Sequence, residues 1–172
     1  MLNRIAAALA ILVVSATAAF PQASNRVATF QDWSVYAYSG PSGRVCYAAA
    51  QPQTTAPAGV NRDPIYFMVA NWPGRDATNE VSVIMGYPLE ANSSVTVTID
   101  TTENFTLFTR TTPYPDTAWI DALDQEAELM VAMRRGITMV VRGRSARGTD
   151  TTDTYSLRGI SAALDRAAQE CA

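Results

Sequence analysis

Residues 137–159 read ITMVVRGRSARGTDTTDTYSLRG. Ile137, Met139 and Val141 alternate with Thr138, Val140, Arg142 and Arg144, the two-residue period of a strand with one apolar side. A segment rich in Gly and Thr follows, and Asp153 to Leu157 returns, so the stretch predicts a hairpin. Directly after it Ile160, Leu164 and Ala168 recur at helical spacing, with Cys171 roughly on the same stripe, which predicts a helix over about 160–170. The chain is therefore closed at this hairpin, because Cys171 has one possible partner, Cys46.

Working outward, most of the chain reads as short strands between turn signals. Phe30 to Tyr38 sets Trp33, Val35 and Ala37 on one face, and after the turn Ser39-Gly40-Pro41-Ser42-Gly43 the strand Arg44 to Gln51 returns. Pro52, Pro57 and Pro64 mark a loop. Ile65 to Trp72 is apolar on both faces, as a central strand is. Glu80 to Tyr87 collects Val81, Val83 and Met85 on one side. Ser94 to Asp100 alternates Val95, Val97 and Ile99 against Ser94, Thr96 and Thr98, and Phe105 to Arg110 completes a hairpin with it.

Pro113 and Pro115 mark another loop. Beyond it Asp121 reads as a helix N-cap, with Ile120, Leu123, Ala127, Met130 and Met133 as the apolar stripe of a helix over about 120–135. Asp124, Glu126 and Glu128 lie early and Arg134 and Arg135 late, in the order that suits the helix dipole, and Gly136 ends it. The acidic group could form a catalytic carboxylate pair or a calcium site. It reads instead as a solvated helix face, since no D-x-D-x-D-G loop is present.

Composition excludes much chemistry. The chain has 172 residues, no His, and 13 basic residues that are all Arg. Ser–His–Asp and Cys–His arrangements, Schiff-base lysines, histidine-ligated zinc and the P-loop lysine are therefore ruled out. A net charge of −3 gives no global grip on nucleic acid. No cofactor and no metal site is expected, and the chain reads as a non-enzyme.

The N-terminus predicts export. Arg4, the apolar run Ile5 to Val14 and the small residues Ala16-Thr17-Ala18 form a signal peptide over about 1–19, with 20–172 as one domain. The apolar run is short for a membrane span, and no later segment reaches that length, so the mature chain is expected to lack a transmembrane segment. In an oxidising compartment the two cysteines, Cys46 and Cys171, are expected to pair. The closed loop would stabilise the fold by roughly 4–5 kcal/mol on the chain-entropy account. A redox-active pair is disfavoured, because no C-x-x-C motif and no His or Lys is there to lower a thiol pKa.

Several motifs, in order, resemble the invasion-associated locus B family of exported bacterial proteins. They are Asp32-Trp33-Ser34-Val35, Cys46-Tyr47-Ala48, Asn61-Arg62-Asp63-Pro64, Asn79 to Ile84, Gly86-Tyr87-Pro88 and Leu107-Phe108-Thr109. Ala118-Trp119, Ser145 to Thr149, Thr151 to Leu157 and the terminal Cys171 continue the series. The resemblance implies a mainly β fold, an immunoglobulin-like β-sandwich with two appended helices, located in the periplasm, at the outer membrane or secreted. It brings no catalytic residues. The chain departs from many relatives in having no Lys.

The candidate binding residues are Arg142, Arg144 and Arg147, whose guanidinium groups suit carboxylate and phosphate. The partner would be an envelope protein or an anionic glycan. The competing reading has these arginines solvated or paired with Asp150, Asp153 and the acidic helix, with Arg147 bracing the turn. Trp33, Tyr36, Tyr47, Tyr66, Trp72 and Trp119 could stack on sugar rings, but core packing is the expectation. The alternative function is a carboxylate-dependent hydrolase of envelope polysaccharide, which needs two facing carboxyls in a cleft, one of them poorly solvated.

Overall fold

The computed structural model describes residues 24–41, 43–75, 77–120 and 122–172. The signal peptide expected over 1–19 and the cap expected at Asp121 lie outside the described residues. Among the described residues eleven strands are formed: β1 (Asn25–Phe30), β2 (Trp33–Gly40), β3 (Gly43–Ala50), β4 (Thr54–Ala56), β5 (Tyr66–Trp72), β6 (Ala77–Ile84), β7 (Ser94–Ile99), β8 (Glu103–Thr109), β9 (Thr117–Trp119), β10 (Thr138–Arg144) and β11 (Asp150–Ser156). Helix α1 (Leu123–Arg135) precedes β10, and α2 (Ile160–Glu170) follows β11.

The strands pair antiparallel in the order β1-β2-β3-β5-β6-β9-β8-β7-β10-β11-β4. The short β9 carries the turn of the sheet: Trp119 is opposite Ser82 of β6 on one side and Phe108 of β8 on the other. Beyond it the sheet folds over itself. Phe67 of β5 meets Tyr155 of β11 with ring centroids 6.0 Å apart, although these strands are distant in the pairing order. The Trp33 Nε1 of β2 donates to the Ser156 carbonyl across the same interior at 2.9 Å. The fold is thus a mainly β sandwich with two helices, and its two layers are halves of one continuous sheet.

Strand alternation decides what fills the interior. Trp33, Val35, Ala48, Phe67, Val69, Val81 and Val83 from one layer face Val95, Val97, Met139, Val141 and Tyr155 from the other. A period of two places every second side chain on the same face, so each strand supplies one apolar row to the core. Helix α2 lies against β2 and β3 and buries Ile160, Ala163, Leu164 and Ala167. Its last turn is tied to β3 by the Cys46–Cys171 disulfide, with Cα atoms 5.7 Å apart. Arg44 of β3 adds an ion pair to Glu170 at 2.7 Å.

Helix α1 differs from expectation in the face it buries. Leu129, Met130, Ala132 and Met133 are inside, whereas Leu123 is 82% exposed and Ala127 is also exposed. The helix carries apolar residues around much of its circumference. The positions of β6, β8 and α2 select the buried side. Glu126 contributes an unusual contact, accepting a hydrogen bond from the Val81 N–H of β6 at 2.9 Å.

Candidate binding face

The outer face of β10 carries the candidate arginines at the middle of the second layer. Because Met139 and Val141 point into the core, Arg142 and Arg144 point out, and both are exposed. Register fixes the neighbours of Arg142: Thr152 of β11 on one side and Thr96 of β7 on the other, with Thr106 of β8 beyond. The next row reads Asn104, Thr98, Val140, Thr154 and Thr54. This is a sheet face of hydroxyl groups with a guanidinium near its centre. Among the described residues no acid lies within ion-pair distance of Arg142.

Arg144 has a different role. Its Nη1 contacts Asp150 at 3.0 Å and its Nε contacts Glu90 at 3.2 Å. Asp150 above all, and then Glu90, raise its already high pKa, so the charge is permanent and locally neutralised. The turn it braces is ordered by its own backbone: Gly148 N–H donates to the Ser145 carbonyl at 2.7 Å, and Thr149 N–H to the Ser145 hydroxyl at 3.0 Å. Arg147 sits exposed in that turn with no ion pair to any described residue. The bracing expected of Arg147 therefore falls to Arg144, and the three arginines do not form one cluster.

Asp153 does not pair with the hairpin arginines either. Its side chain is fully buried and accepts from Arg62, Nη1 to Oδ1 and Nη2 to Oδ2, each at 2.7 Å. The same guanidinium donates to the Met85 carbonyl through Nε at 3.0 Å and Nη2 at 2.6 Å, and stacks over Tyr87 at 4.8 Å from the ring centre. The Tyr87 hydroxyl shares a hydrogen bond of 2.5 Å with the Thr151 hydroxyl. Burial raises the Tyr87 pKa, and raises that of Tyr155 further. The loop holding Arg62 is seated by Gly86, whose φ of 70° and absent side chain let the Asp63 backbone approach. Asp63 N–H donates to the Gly86 carbonyl at 2.9 Å.

Reading the sequence missed this network. The available signal was an acid at position 153, between Thr151 and Tyr155 on the inward side of a strand, which requires a buried partner. A polar concavity of about 400 Å³ beside the loop is lined by Gln51, Thr55, Asn61 and Asp63, with Arg62 in its wall. Four of the five N–H donors of Arg62 are engaged by Asp153 and the Met85 carbonyl, so the ion pair acts as a structural tie. A second concavity of about 320 Å³ between α1 and β8 holds Glu103 and Glu128, both exposed, with Arg135 3.9 Å from Glu103. Neither place offers facing carboxyls of which one is poorly solvated. Among the described residues no group of three or more His, Cys, Asp or Glu is placed to hold a metal ion, and no helix is long and apolar enough to cross a membrane.

The aromatic residues divide. Trp33 is fully buried in the core. Tyr36, Tyr47, Tyr66, Trp72 and Trp119 are only partly covered. They lie outside the core cluster, so core packing accounts for one of the six.

Comparison with known proteins adds the following. The sequence model of one protein family, described as invasion associated locus B (IalB) protein, matches residues 33–168. No curated protein matches the chain. Among solved structures, the crystal structure of invasion associated protein B from Bartonella henselae is similar in fold, with a TM-score of 0.59 at 18% identity. That match covers 86% of this chain and 95% of the other.

Proposed function

Because the chain belongs to the invasion associated locus B family, we propose that it is an exported, non-enzymatic protein of the bacterial envelope that binds a partner through the outer face of β10. The leader over 1–19 delivers a single domain, 20–172, to the periplasm or the outer membrane. There the face meets carboxylate or phosphate groups of an anionic glycan or an envelope protein. The observation that supports this reading is Arg142, an exposed guanidinium set between Thr96 and Thr152 with no described acid to neutralise it. Guanidinium and hydroxyl donors side by side suit an oxyanion, the guanidinium through paired N–H···O bonds and the hydroxyls from the flanks. Arg147 adds charge at the hairpin tip. Arg144, held by Glu90 and Asp150, shapes the tip.

The hydrolase alternative gains no support from this geometry. Asp153 is the carboxylate buried among the described residues, and it is locked on Arg62. The test is retention of the purified protein on lipopolysaccharide and cell-wall fractions. Arg142→Ala should weaken retention roughly tenfold to a hundredfold, the worth of one or two hydrogen bonds to a charged group. Unchanged retention would remove the face from consideration.

A further inference from the structure

The sandwich has two outer faces, and they differ in kind. On the second layer the solvent side is built of Thr, Ser, Asn and Arg, as expected of strands with one wet face. From the first layer round the corner made by β9, register aligns Ser34, Ala49, Met68, Ser82, Trp119 and Phe108 in one row across β2, β3, β5, β6, β9 and β8. In the adjoining row Tyr36 is opposite Tyr47. Neither helix covers this side, since the buried residues of α1 and α2 all belong to the inner core. One sandwich thus keeps a polar face and an aromatic face, the latter partly exposed at Tyr36, Tyr47 and Met68 over the small buried Ala49, Ala70 and Ser82.

Ring geometry narrows what the aromatic face can hold. Tyr36 and Tyr47 are stacked on each other at 5.2 Å and 16°, and Phe108 leans on Trp119 at 5.8 Å and 31°. Arg75 lies over the Trp72 ring at 4.6 Å and Arg110 over the Phe108 ring at 5.1 Å. Each of these rings already has a neighbour on one face, so a flat platform for a sugar ring is lacking. The face presents ring edges, hydroxyls, a methionine and two arginines. Aromatic residues, Met and Arg are the types enriched at protein–protein interfaces.

Size and charge indicate the occupant. Six strands about 4.8 Å apart span about 24 Å, and strands of this length run about 20 Å, so the face offers at most about 480 Å² in projection; two copies would bury about 1,000 Å² in total, the lower end of a specific interface. A single glycan strand would cover only a narrow track of it. The face carries both signs: Glu80 lies in register with Ala70, next to Tyr47, while Arg75 and Arg110 have no ion pair with a described residue. A two-fold axis through the face would bring the acid of one copy toward the arginines of the other, and sheet-on-sheet packing is how the sandwich already builds its own interior. We infer that the outer face of β2, β3, β5 and β6, continued by Trp119 of β9 and Phe108 of β8, is the interface of a homodimer of this chain.

The experiment is sedimentation of the purified protein from low to several hundred micromolar. The wild type should dimerise, and Met68→Glu, at the centre of the face, should weaken dimerisation at least about tenfold. Tyr47→Arg is the second variant, and circular dichroism establishes which variants are folded. A folded variant of either kind decides the matter. Arg142→Ala, on the opposite layer, should dimerise like the wild type, so loss of envelope retention and loss of the dimer are separate results. A wild type that stays monomeric throughout, or a dimer that folded face variants leave intact, would overturn the inference.

Discussion

The fully buried carboxylate of Asp153 receives two hydrogen bonds of 2.7 Å from Arg62, a residue that gives two more to the Met85 carbonyl. One guanidinium thereby joins the loop before β5, the end of β6 and the strand β11. Isolating either charge leaves the other desolvated. Arg62→Met and Asp153→Leu should each lower stability by about 3–5 kcal/mol. The double variant Arg62→Met/Asp153→Leu should lose far less than the sum, because no charge is then stranded. Urea unfolding of the four proteins measures the coupling. Additive losses would mean that the two residues act independently.

Glu126 gives a pH dependence of opposite sense to that of most carboxylates. Burial raises its pKa above 4.5, Glu80 adds to the rise, and the hydrogen bond from Val81 N–H opposes it. A raised folded-state pKa means that the folded protein holds the proton more tightly than the unfolded chain. Its contribution is then most favourable below 4.5 and declines as pH rises from 4.5 through the folded value, after which it stays at its lower level. Glu126→Gln keeps an acceptor for Val81 without the charge. Thermal melts across pH should show that decline in the wild type and its absence in the variant, with the variant at least as stable at neutral pH. A variant less stable at neutral pH would mean that the charge strengthens the hydrogen bond by more than burial costs.

Much of this architecture was readable from residue order. The hairpin around Arg142, the bounds of α2 and the inward rows Val95-Val97-Ile99 and Val81-Val83-Met85 follow from a period of two or of 3.6. The pairing of Cys46 with Cys171 follows from there being two cysteines in a chain whose first residues read as an export leader. What escaped was decided by tertiary neighbours. β4 and β9 are three-residue strands within segments marked by proline, formed because β11 and β6 offer them an edge. The buried side of α1 was settled by what packs on it, and Leu123 was left out. Arg62 was visible as part of a motif, but its partner lies 91 residues away, on a strand of Asp and Thr that names no partner for its acid. For the candidate face, periodicity placed Arg142 and Arg144 on one side, but only coordinates show that one is neutralised and the other is not.

Two glycines with positive φ should respond differently to the same change. Gly159, at φ 91°, starts α2, and a Cβ there would collide with the Phe30 carbonyl. Gly148, at φ 84°, lies in the β10–β11 turn, where the nearest atom to such a Cβ is the flexible end of Arg144 at 3.5 Å. Gly148→Ala should cost about 1 kcal/mol, the conformational term alone. Gly159→Ala adds a clash with backbone that cannot yield, so its loss should exceed that by about 2 kcal/mol or more. Chemical denaturation distinguishes the two, and equal losses would mean that α2 can shift away from β1 at no expense.

The disulfide closes 125 residues of sequence between β3 and the end of α2. Replacing both cysteines by serine should lower stability by about 2–5 kcal/mol, since the unfolded chain regains the freedom of a long loop. The ion pair between Arg44 and Glu170 remains, at 2.7 Å and partly exposed, and pairs of that kind hold weakly. The last turn of α2 should therefore open before the sandwich does. Amide exchange should accelerate first at Gln169, Glu170 and Cys171→Ser, while Ala163 and Leu164, which pack into the core, keep their protection until global unfolding. If exchange instead rose uniformly along α2, the disulfide would be holding the whole helix on the sheet, and the core contacts of Ile160, Ala163, Leu164 and Ala167 would be too weak to seat it alone.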